Sequence, residues 1–259
     1  MEKKEKKPKS NETGLKMYYQ PVIATMFDKV VGYEALIRLI DKELHFISPG
    51  IFIPIAEKSG LNVALGNWIF EETCNTLQKM VKKGIDFEYI SLNVSVKHLK
   101  KKEYVPDLLA IVNEIGADPG KLGLEIPEDA FNTVAGTEAT IERIHELKHY
   151  GFKVSIDDYG SDYLSLSSLE SIPVDSVKLD KTLTDKMGID AKVREKLETI
   201  IRTTADMNID AIAKTVEDEK QKKMLSEMGC RKMQGYLFGK PVKERDILYP
   251  KVKKVESED

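Results

Sequence analysis

The stretch that decides the fold is GFKVSIDD at residues 151–158. A segment of helical period at 138–150 precedes it, and Gly151 closes that segment at the position after a helix where a positive φ is tolerated. The apolar run at 153–156 predicts a buried strand, and this strand ends in two carboxylates, Asp157 and Asp158. A helix, a closing glycine, a short strand and a polar strand end together indicate one unit of a parallel α/β fold.

The same unit recurs along the chain. Short apolar runs rich in β-branched residues predict strands at 17–24, 30–37, 89–94, 122–126, 153–156, 176–179, 209–213 and 233–237. Segments of helical period are clearest at 61–82, 138–150, 191–207 and 218–228. Eight strands that alternate with helices over roughly 230 residues predict an α/β fold, a (β/α)8 TIM-like barrel. A short turn around Asp28 and Lys29 separates the first two strands, so we expect an antiparallel first strand, because a parallel crossover needs a dozen or more residues.

Length and composition narrow the class of protein. The chain has 259 residues, 41% of them hydrophobic and 32% charged, which is typical of a soluble globular domain. The net charge of −3 gives no global basic field, so we expect no nucleic acid polymer as a partner. The two cysteines, Cys74 and Cys230, provide neither a disulfide framework nor a zinc cluster and indicate a reducing, cytoplasmic location.

The ends of the chain differ from its middle. We expect a disordered lysine-rich segment at 1–14, one barrel domain at 15–248 and a charged tail at 249–259. No apolar run approaches the length of a membrane span, so no membrane partner is expected.

Nearly every predicted strand ends in a polar or ionisable residue that the apolar run does not need. These residues are Glu34, Asn93, Glu125, Asp157, Asp158, Lys178, Lys214 and Gln234. In a parallel barrel all such ends lie on the face where active sites sit. Carboxylates that converge there repel one another unless a divalent cation neutralises them. Oxygen ligands with one amide favour magnesium, manganese or calcium over zinc, although each acid taken alone could equally be a loop residue or a helix N-cap.

A series of motifs in chain order resembles the EAL family of cyclic di-GMP phosphodiesterases. They are YQPV at 19–22 with GYEALIR at 32–38, FIPIAE at 52–57, SLNVS at 91–95, LEIPE at 124–128, DDYG at 157–160, PVDSVKLD at 173–180 and QGYLFGKP at 234–241. The resemblance spans about residues 15–245. It implies in-line attack of a metal-activated water on one phosphodiester of cyclic di-GMP, which gives the linear dinucleotide pGpG.

The resemblance also implies a role for each matching residue. The implied ligands of a first metal are Glu34, Asn93, Glu125 and Asp157. Asp158 would bind a second metal, with Asp157 bridging the two, and Lys178 would contact the nucleophile or the phosphate. The residues implied to hold the nucleotide are Gln20, Arg38 and Gln234. Glu128 would brace the loop after Asp158. The implied cofactor is Mg²⁺ or Mn²⁺, with Ca²⁺ as a binding but inhibitory substitute.

The chain departs from the family pattern at the seventh strand end. Lys214 stands where the family has a glutamate that serves as a second-metal ligand and general base. An ammonium group donates hydrogen bonds and can neither accept a proton nor bind a cation. Asp162 replaces a loop glycine and Pro127 replaces a threonine, and both changes fall around the same loop. We therefore predict at most one tightly held divalent ion and impaired catalysis.

Three functions remain open at this point. The first is a phosphodiesterase, the second a sensor that binds cyclic di-GMP without turnover, and the third a protein-interaction module without a ligand. The retained Gln20, Arg38, Glu34 and Asn93 favour the first two, and Lys214 favours the second over the first. A homodimer and a protein effector also remain open as partners.

Overall fold

A closed barrel of eight strands forms the centre of the computed structural model, which describes residues 13–249. The strands are β1 Gly14–Ala24, β2 Lys29–Asp41, β3 His45–Ile47, β4 Tyr89–Asn93, β5 Leu122–Pro127, β6 Lys153–Tyr159, β7 Ser176–Leu179, β8 Asp210–Ala213, β9 Lys232–Met233 and β10 Val242–Lys243. The expected segments 1–14 and 249–259 lie outside the described residues, apart from Thr13, Gly14 and Tyr249.

The barrel closes because β1 pairs with both β2 and β9, while β3 and β10 flank it. Both of these β1 pairings are antiparallel, and the ladders from β2 through β4 to β9 are parallel. The predicted TIM-like barrel with an antiparallel first strand is confirmed.

Helices surround the barrel. They are α1 Pro49–Lys58, α2 Asn62–Lys82, α3 Val96–Leu99, α4 Tyr104–Ile115, α5 Val134–His149, α6 Leu166–Leu169, α7 Lys181–Lys186, α8 Ala191–Asp206, α9 Glu219–Glu227 and α10 Glu244–Leu248, with short 3-10 helices at Pro119–Lys121 and Glu128–Phe131. The start of α5 lies at Val134 rather than at 138, because the Thr133 side chain accepts a hydrogen bond from Gly136 N and caps the helix there. No helix within residues 13–249 is long and apolar enough to cross a membrane.

Several strands have other bounds than predicted. β1 begins at Gly14, and β6 runs on to Tyr159, so Asp157 and Asp158 lie inside their strand and not after its end. β2 runs on to Asp41 to form a hairpin with β3, so Glu34 lies in the middle of its strand and not at the end. The predicted strand at 233–237 is reduced to Lys232–Met233. The chain turns after it and passes so close to Val216 that only glycine fits at 235, because a Cβ there would lie 2.0 Å from the Val216 carbonyl oxygen.

The apolar core lies between the barrel and its helices. Alternation along β5 places Leu124 and Ile126 on one face and Glu125 on the other, and all three are buried. The same alternation in β6 separates Ile156 from Ser155 and Asp157. The strands therefore bury apolar side chains against the helices and turn polar side chains into the barrel.

Candidate functional site

A buried ion-pair cluster lies inside the mouth of the barrel. Lys178 Nζ on β7 donates hydrogen bonds to Glu34 Oε2 at 2.6 Å and to both carboxylate oxygens of Glu125 at 2.8 Å. Lys178 and Glu125 are each only 1% exposed. Three strands that are far apart in sequence thus bring their charges together in a site with little water.

A hydrogen-bond network extends from this cluster through Glu34. Its Oε1 accepts a hydrogen bond from Asn93 Nδ2 at 2.9 Å, and its Oε2 accepts one from Gln234 Nε2 at 2.8 Å. Gln234 Nε2 also lies 3.4 Å from Gln20 Oε1, and Gln20 Nε2 donates to Gly239 O at 3.1 Å. The Glu34 carboxylate thus contacts Asn93 and Gln234 directly and is linked to Gln20 through Gln234.

The second cation in the site belongs to Lys214, which follows β8. Its Nζ lies 2.6 Å from Asp157 Oδ1 and also donates to Asp158 Oδ1. The side chains of Lys214 and Asp157 are 16% and 13% exposed, whereas that of Asp158 is 53% exposed. Lys214 therefore joins the two adjacent acids of β6 from the inner side of the barrel.

The charges of these groups control one another. Burial would raise the pKa of Glu34, but the charge of Lys178 and its hydrogen bond hold that pKa below its ordinary value. Burial and the negative charge of Glu34 raise the pKa of Glu125, because one lysine cannot fully offset two buried carboxylates. Burial, the largest single effect, would lower the pKa of Lys214, but the charges of Asp157 and Asp158 and the hydrogen bond to Asp157 together raise it. Lys214 is therefore an ammonium ion at neutral pH.

The four implied ligands of the first metal meet at this end of the barrel, but ammonium groups stand between their carboxylates. No group of three or more histidines, cysteines or acids is arranged to hold a metal within residues 13–249. Oxygen donors of this kind suit a hard divalent cation. Such a cation would have to replace part of the ion pairing that Lys178 provides to Glu34 and Glu125.

Arg38 lies four residues beyond Glu34 on β2 and is half-buried. One guanidinium nitrogen donates to Ile37 O at 2.9 Å, and the guanidinium carbon lies 5.6 Å from the centre of the Phe46 ring. Burial lowers the pKa of Arg38, while the charges of Glu34 and Tyr236 act in the opposite direction. A guanidinium carries five N–H donors, so most of the donors of Arg38 could still bind an anionic ligand.

Glu128 binds the loop that follows β6. Its Oε2 accepts hydrogen bonds from Gly160 N at 3.0 Å, Ser161 N at 2.8 Å and Ser161 Oγ at 2.6 Å, and its Oε1 accepts one from Leu164 N at 2.9 Å. Through these four hydrogen bonds, Glu128 fixes the loop at Gly160, Ser161 and Leu164.

Sequence reasoning missed a second contact to this loop. Lys196 Nζ on α8 lies 2.7 Å from Gly160 O and 2.6 Å from Asp162 Oδ1. A lysine on the polar face of a helix carries no local signal of such a contact. The backbone here is unusual too, since Asp158, Asp162 and Thr215 adopt positive φ angles of 54°, 77° and 56°.

Comparison with known proteins agrees with the motifs. A family model described as EAL domain matches residues 7–241. The chain is 31% identical over 226 residues to the signaling protein YkoW of Bacillus subtilis, covering 87% of this chain and 28% of that protein. It is 28% identical over 234 residues to the bifunctional diguanylate cyclase/cyclic di-GMP phosphodiesterase MucR of Pseudomonas aeruginosa, covering 90% and 34%. The chain spans about a third of the length of these curated relatives.

Solved structures share the fold. The MucR phosphodiesterase in its cyclic di-GMP complex matches with a TM-score of 0.82 and 29% identity, covering 88% of this chain and 92% of that one. The EAL enzyme Bd1971, with cAMP and cyclic di-GMP bound, matches with a TM-score of 0.83 and 26% identity, covering 92% and 65%. The family resemblance and the fold expected from the sequence are both confirmed.

Proposed function

The chain belongs to the EAL domain family, and on that premise we propose that it binds cyclic di-GMP together with one divalent cation and hydrolyses it slowly or not at all. The observation that carries this proposal is the pair of hydrogen bonds from Lys214 Nζ to Asp157 and Asp158.

Lys214 acts in this proposal as a tethered cation. Two-metal hydrolysis needs two divalent ions about 3.5–4 Å apart. At an effective dielectric constant of about 20, two unit charges 4 Å apart interact by roughly 4 kcal/mol, and a divalent ion beside an ammonium doubles that repulsion. Since Lys214 already pairs with both Asp157 and Asp158, a second divalent ion is disfavoured at this place.

The charge balance supports one divalent ion. The acids Glu34, Glu125, Asp157 and Asp158 face the ammonium groups of Lys178 and Lys214. With all four acids ionised, as bound metal requires, two negative charges are left over. One divalent ion would neutralise these two charges. A glutamate in place of Lys214 would leave four negative charges, which two divalent ions would neutralise.

Glu34, Asn93, Glu125 and Asp157 would hold that ion, with Mg²⁺ or Mn²⁺ as the working metal and Ca²⁺ as an inhibitory substitute. When bound, the ion would supply Lewis-acid polarisation of a phosphoryl oxygen. Lys178 would then turn part of its hydrogen bonding from Glu125 and Glu34 towards the phosphate or the attacking water.

The dinucleotide would be held by Arg38, Gln20 and Gln234. The fork of a guanidinium matches a phosphate through two parallel hydrogen bonds. Gln20 and Gln234 already contact each other beside Glu34, so the nucleotide would bind next to the metal ligands. The cyclic di-GMP complexes of the MucR phosphodiesterase and Bd1971 support this choice of ligand.

Hydrolysis would lack its base. The attacking water would have to give up a proton, and Lys214 cannot take it, because it is an ammonium ion whose pKa its acidic partners hold above the ordinary value. Loss of a general base alone commonly lowers a rate by about 10²–10⁴. A domain that keeps its ligand and loses turnover is suited to sensing, with a second copy or a protein effector to receive the signal. We place this role in the cytoplasm, in keeping with Cys74 and Cys230, which are unpaired.

Equilibrium binding of cyclic di-GMP in Ca²⁺, together with pGpG formation in Mg²⁺ and in Mn²⁺, tests the proposal. We expect saturable binding and little or no product. Absence of binding at millimolar dinucleotide would favour the interaction module, and turnover as fast as that of Lys214→Glu would make the chain an ordinary phosphodiesterase.

A further inference from the structure

The loop at residues 160–164 leaves β6 directly after the acids that pair with Lys214. Glu128 holds one side of this loop through Gly160, Ser161 and Leu164. On the other side, α8 contributes Lys196, whose ammonium lies 2.7 Å from Gly160 O and 2.6 Å from Asp162 Oδ1. The loop is therefore fixed from two elements that are distant in sequence.

We propose that Lys196 is a positioning residue, which fixes this loop and thereby the geometry of Asp157 and Asp158. The inference rests on the proposed function, since it assigns to that site a contact from outside the barrel. Lys196 itself touches neither acid and acts through the backbone of Gly160 and the side chain of Asp162.

The conformation of Asp162 shows why the loop needs such a contact. Its φ of 77° lies in the left-handed region, which aspartate enters more readily than most residues with a Cβ but less readily than glycine. The Asp162 side chain is 81% exposed, so its ion pair with Lys196 is weak alone and acts together with the hydrogen bond from Lys196 to Gly160 O. Removing these two contacts would free the residue to leave this conformation and carry the loop with it.

Gly160 connects this loop to the acids of the site. A Cβ on Gly160 would lie 2.6 Å from Leu183 Cδ1, so the loop passes tightly against α7 at this point. Gly160 is two residues from Asp158, whose own φ is 54° and whose side chain is 53% exposed. The position of Asp158 thus depends on its neighbours in the chain as well as on its hydrogen bond from Lys214.

Packing alone does not fix the outer side of the loop. A cavity of about 430 Å³ is lined by both the loop and α8, including Asp162, Leu166, Lys192, Lys196 and Thr199. Where a cavity takes the place of packed side chains, discrete hydrogen bonds decide where a loop lies. At the edge of this cavity, Lys196 makes such hydrogen bonds to Gly160 O and Asp162 Oδ1.

Hydrogen exchange of the peptide 159–166 in the ligand-free protein tests the contact itself. We expect exchange about tenfold faster in Lys196→Met than in wild type, because hydrogen bonds to a charged group are lost. Lys196→Arg should restore most of the protection, since a guanidinium can also donate twice. Lys192 lines the same cavity one turn earlier and makes no ion pair within residues 13–249, so Lys192→Met is the matched control and should exchange as wild type. Equal exchange in the two methionine variants would overturn the proposal.

Calcium affinity and cyclic di-GMP affinity then test the positioning. We expect both to weaken about tenfold in Lys196→Met, with recovery in Lys196→Arg and a melting temperature close to that of Lys192→Met. Faster loop exchange with unchanged affinities would overturn the positioning role. If wild type binds no dinucleotide, the proposed function fails, while the exchange comparison still decides whether Lys196 fixes the loop.

Discussion

The Nζ atom of Lys214 lies 2.6 Å from Asp157 Oδ1, so an ammonium ion from the end of β8 is built into the acidic cluster of β6. The same ammonium donates to Asp158. This pairing places a monovalent, non-exchangeable cation at the two acids that we propose as ligands of a second divalent ion, and the first two predictions depend on it.

Replacing Lys214 with glutamate should raise the rate of pGpG formation by about 10² or more, because the variant supplies a base and removes the ammonium. Product per minute is measured for wild type and Lys214→Glu in Mg²⁺ and in Mn²⁺. Lys214→Met serves as the control, since it removes the charge without adding a carboxylate, and should gain much less. A wild-type rate equal to that of Lys214→Glu would show that the lysine is tolerated.

Metal stoichiometry should change with the same residue. Wild type is expected to bind one Mn²⁺ tightly in the presence of cyclic di-GMP, and Lys214→Glu two, because the substitution makes the site two charges more negative. Calorimetric titration, with metal content measured after desalting, gives both numbers. Two tightly bound ions in wild type would contradict the tethered-cation interpretation.

His98 should make stability depend on pH. Its side chain is buried, and burial lowers its pKa, while Asp107 acts to raise it and Lys101 to lower it further. A histidine whose folded pKa is lowered contributes stability that is complete above the unfolded pKa of about 6.5 and is lost as the pH falls through the folded value.

Urea unfolding between pH 5 and pH 8 checks this expectation. The free energy of unfolding should fall on the acid side in wild type, and His98→Phe, which keeps a ring against Tyr104, should show a weaker fall. His145→Gln is the matched control because His145 is an exposed histidine of α5. Equal pH profiles for wild type and His98→Phe would rule out this assignment.

Thr215 should be a site of backbone strain. It is β-branched and has a φ of 56°, a conformation that costs a residue with a Cβ roughly 1–2 kcal/mol. Glycine also makes the unfolded chain more flexible, and this cost offsets part of the relieved strain. Thr215→Gly should therefore gain up to about 1 kcal/mol in the free energy of unfolding. Asn208 has a φ of 59°, but asparagine tolerates this region, so Asn208→Gly should gain little. A loss of stability in Thr215→Gly relative to Asn208→Gly would contradict the strain.

Much of the fold follows from local pattern. Local signals were enough for some elements. The apolar run predicted the strand at 153–156, the helical period predicted the helix at 191–207, and the short connection at Asp28 predicted an antiparallel pair. They predicted the order of elements and the antiparallel first strand, and the structure confirms both. The continuation of β2 beyond Glu34 was not predictable in this way, because it depends on pairing with β3.

The sequence by itself determined which ionisable residues the chain carries, and the family motifs predicted that Lys214 departs from the family pattern. Only the tertiary structure decided what Lys214 and Lys196 contact. Lys214 reaches Asp157 across 57 residues of chain, and Lys196 reaches Asp162 across 34. Periodicity specifies which face of an element is buried, but the partner of a charge on that face is fixed only when the barrel closes and its strands and helices reach their final registers.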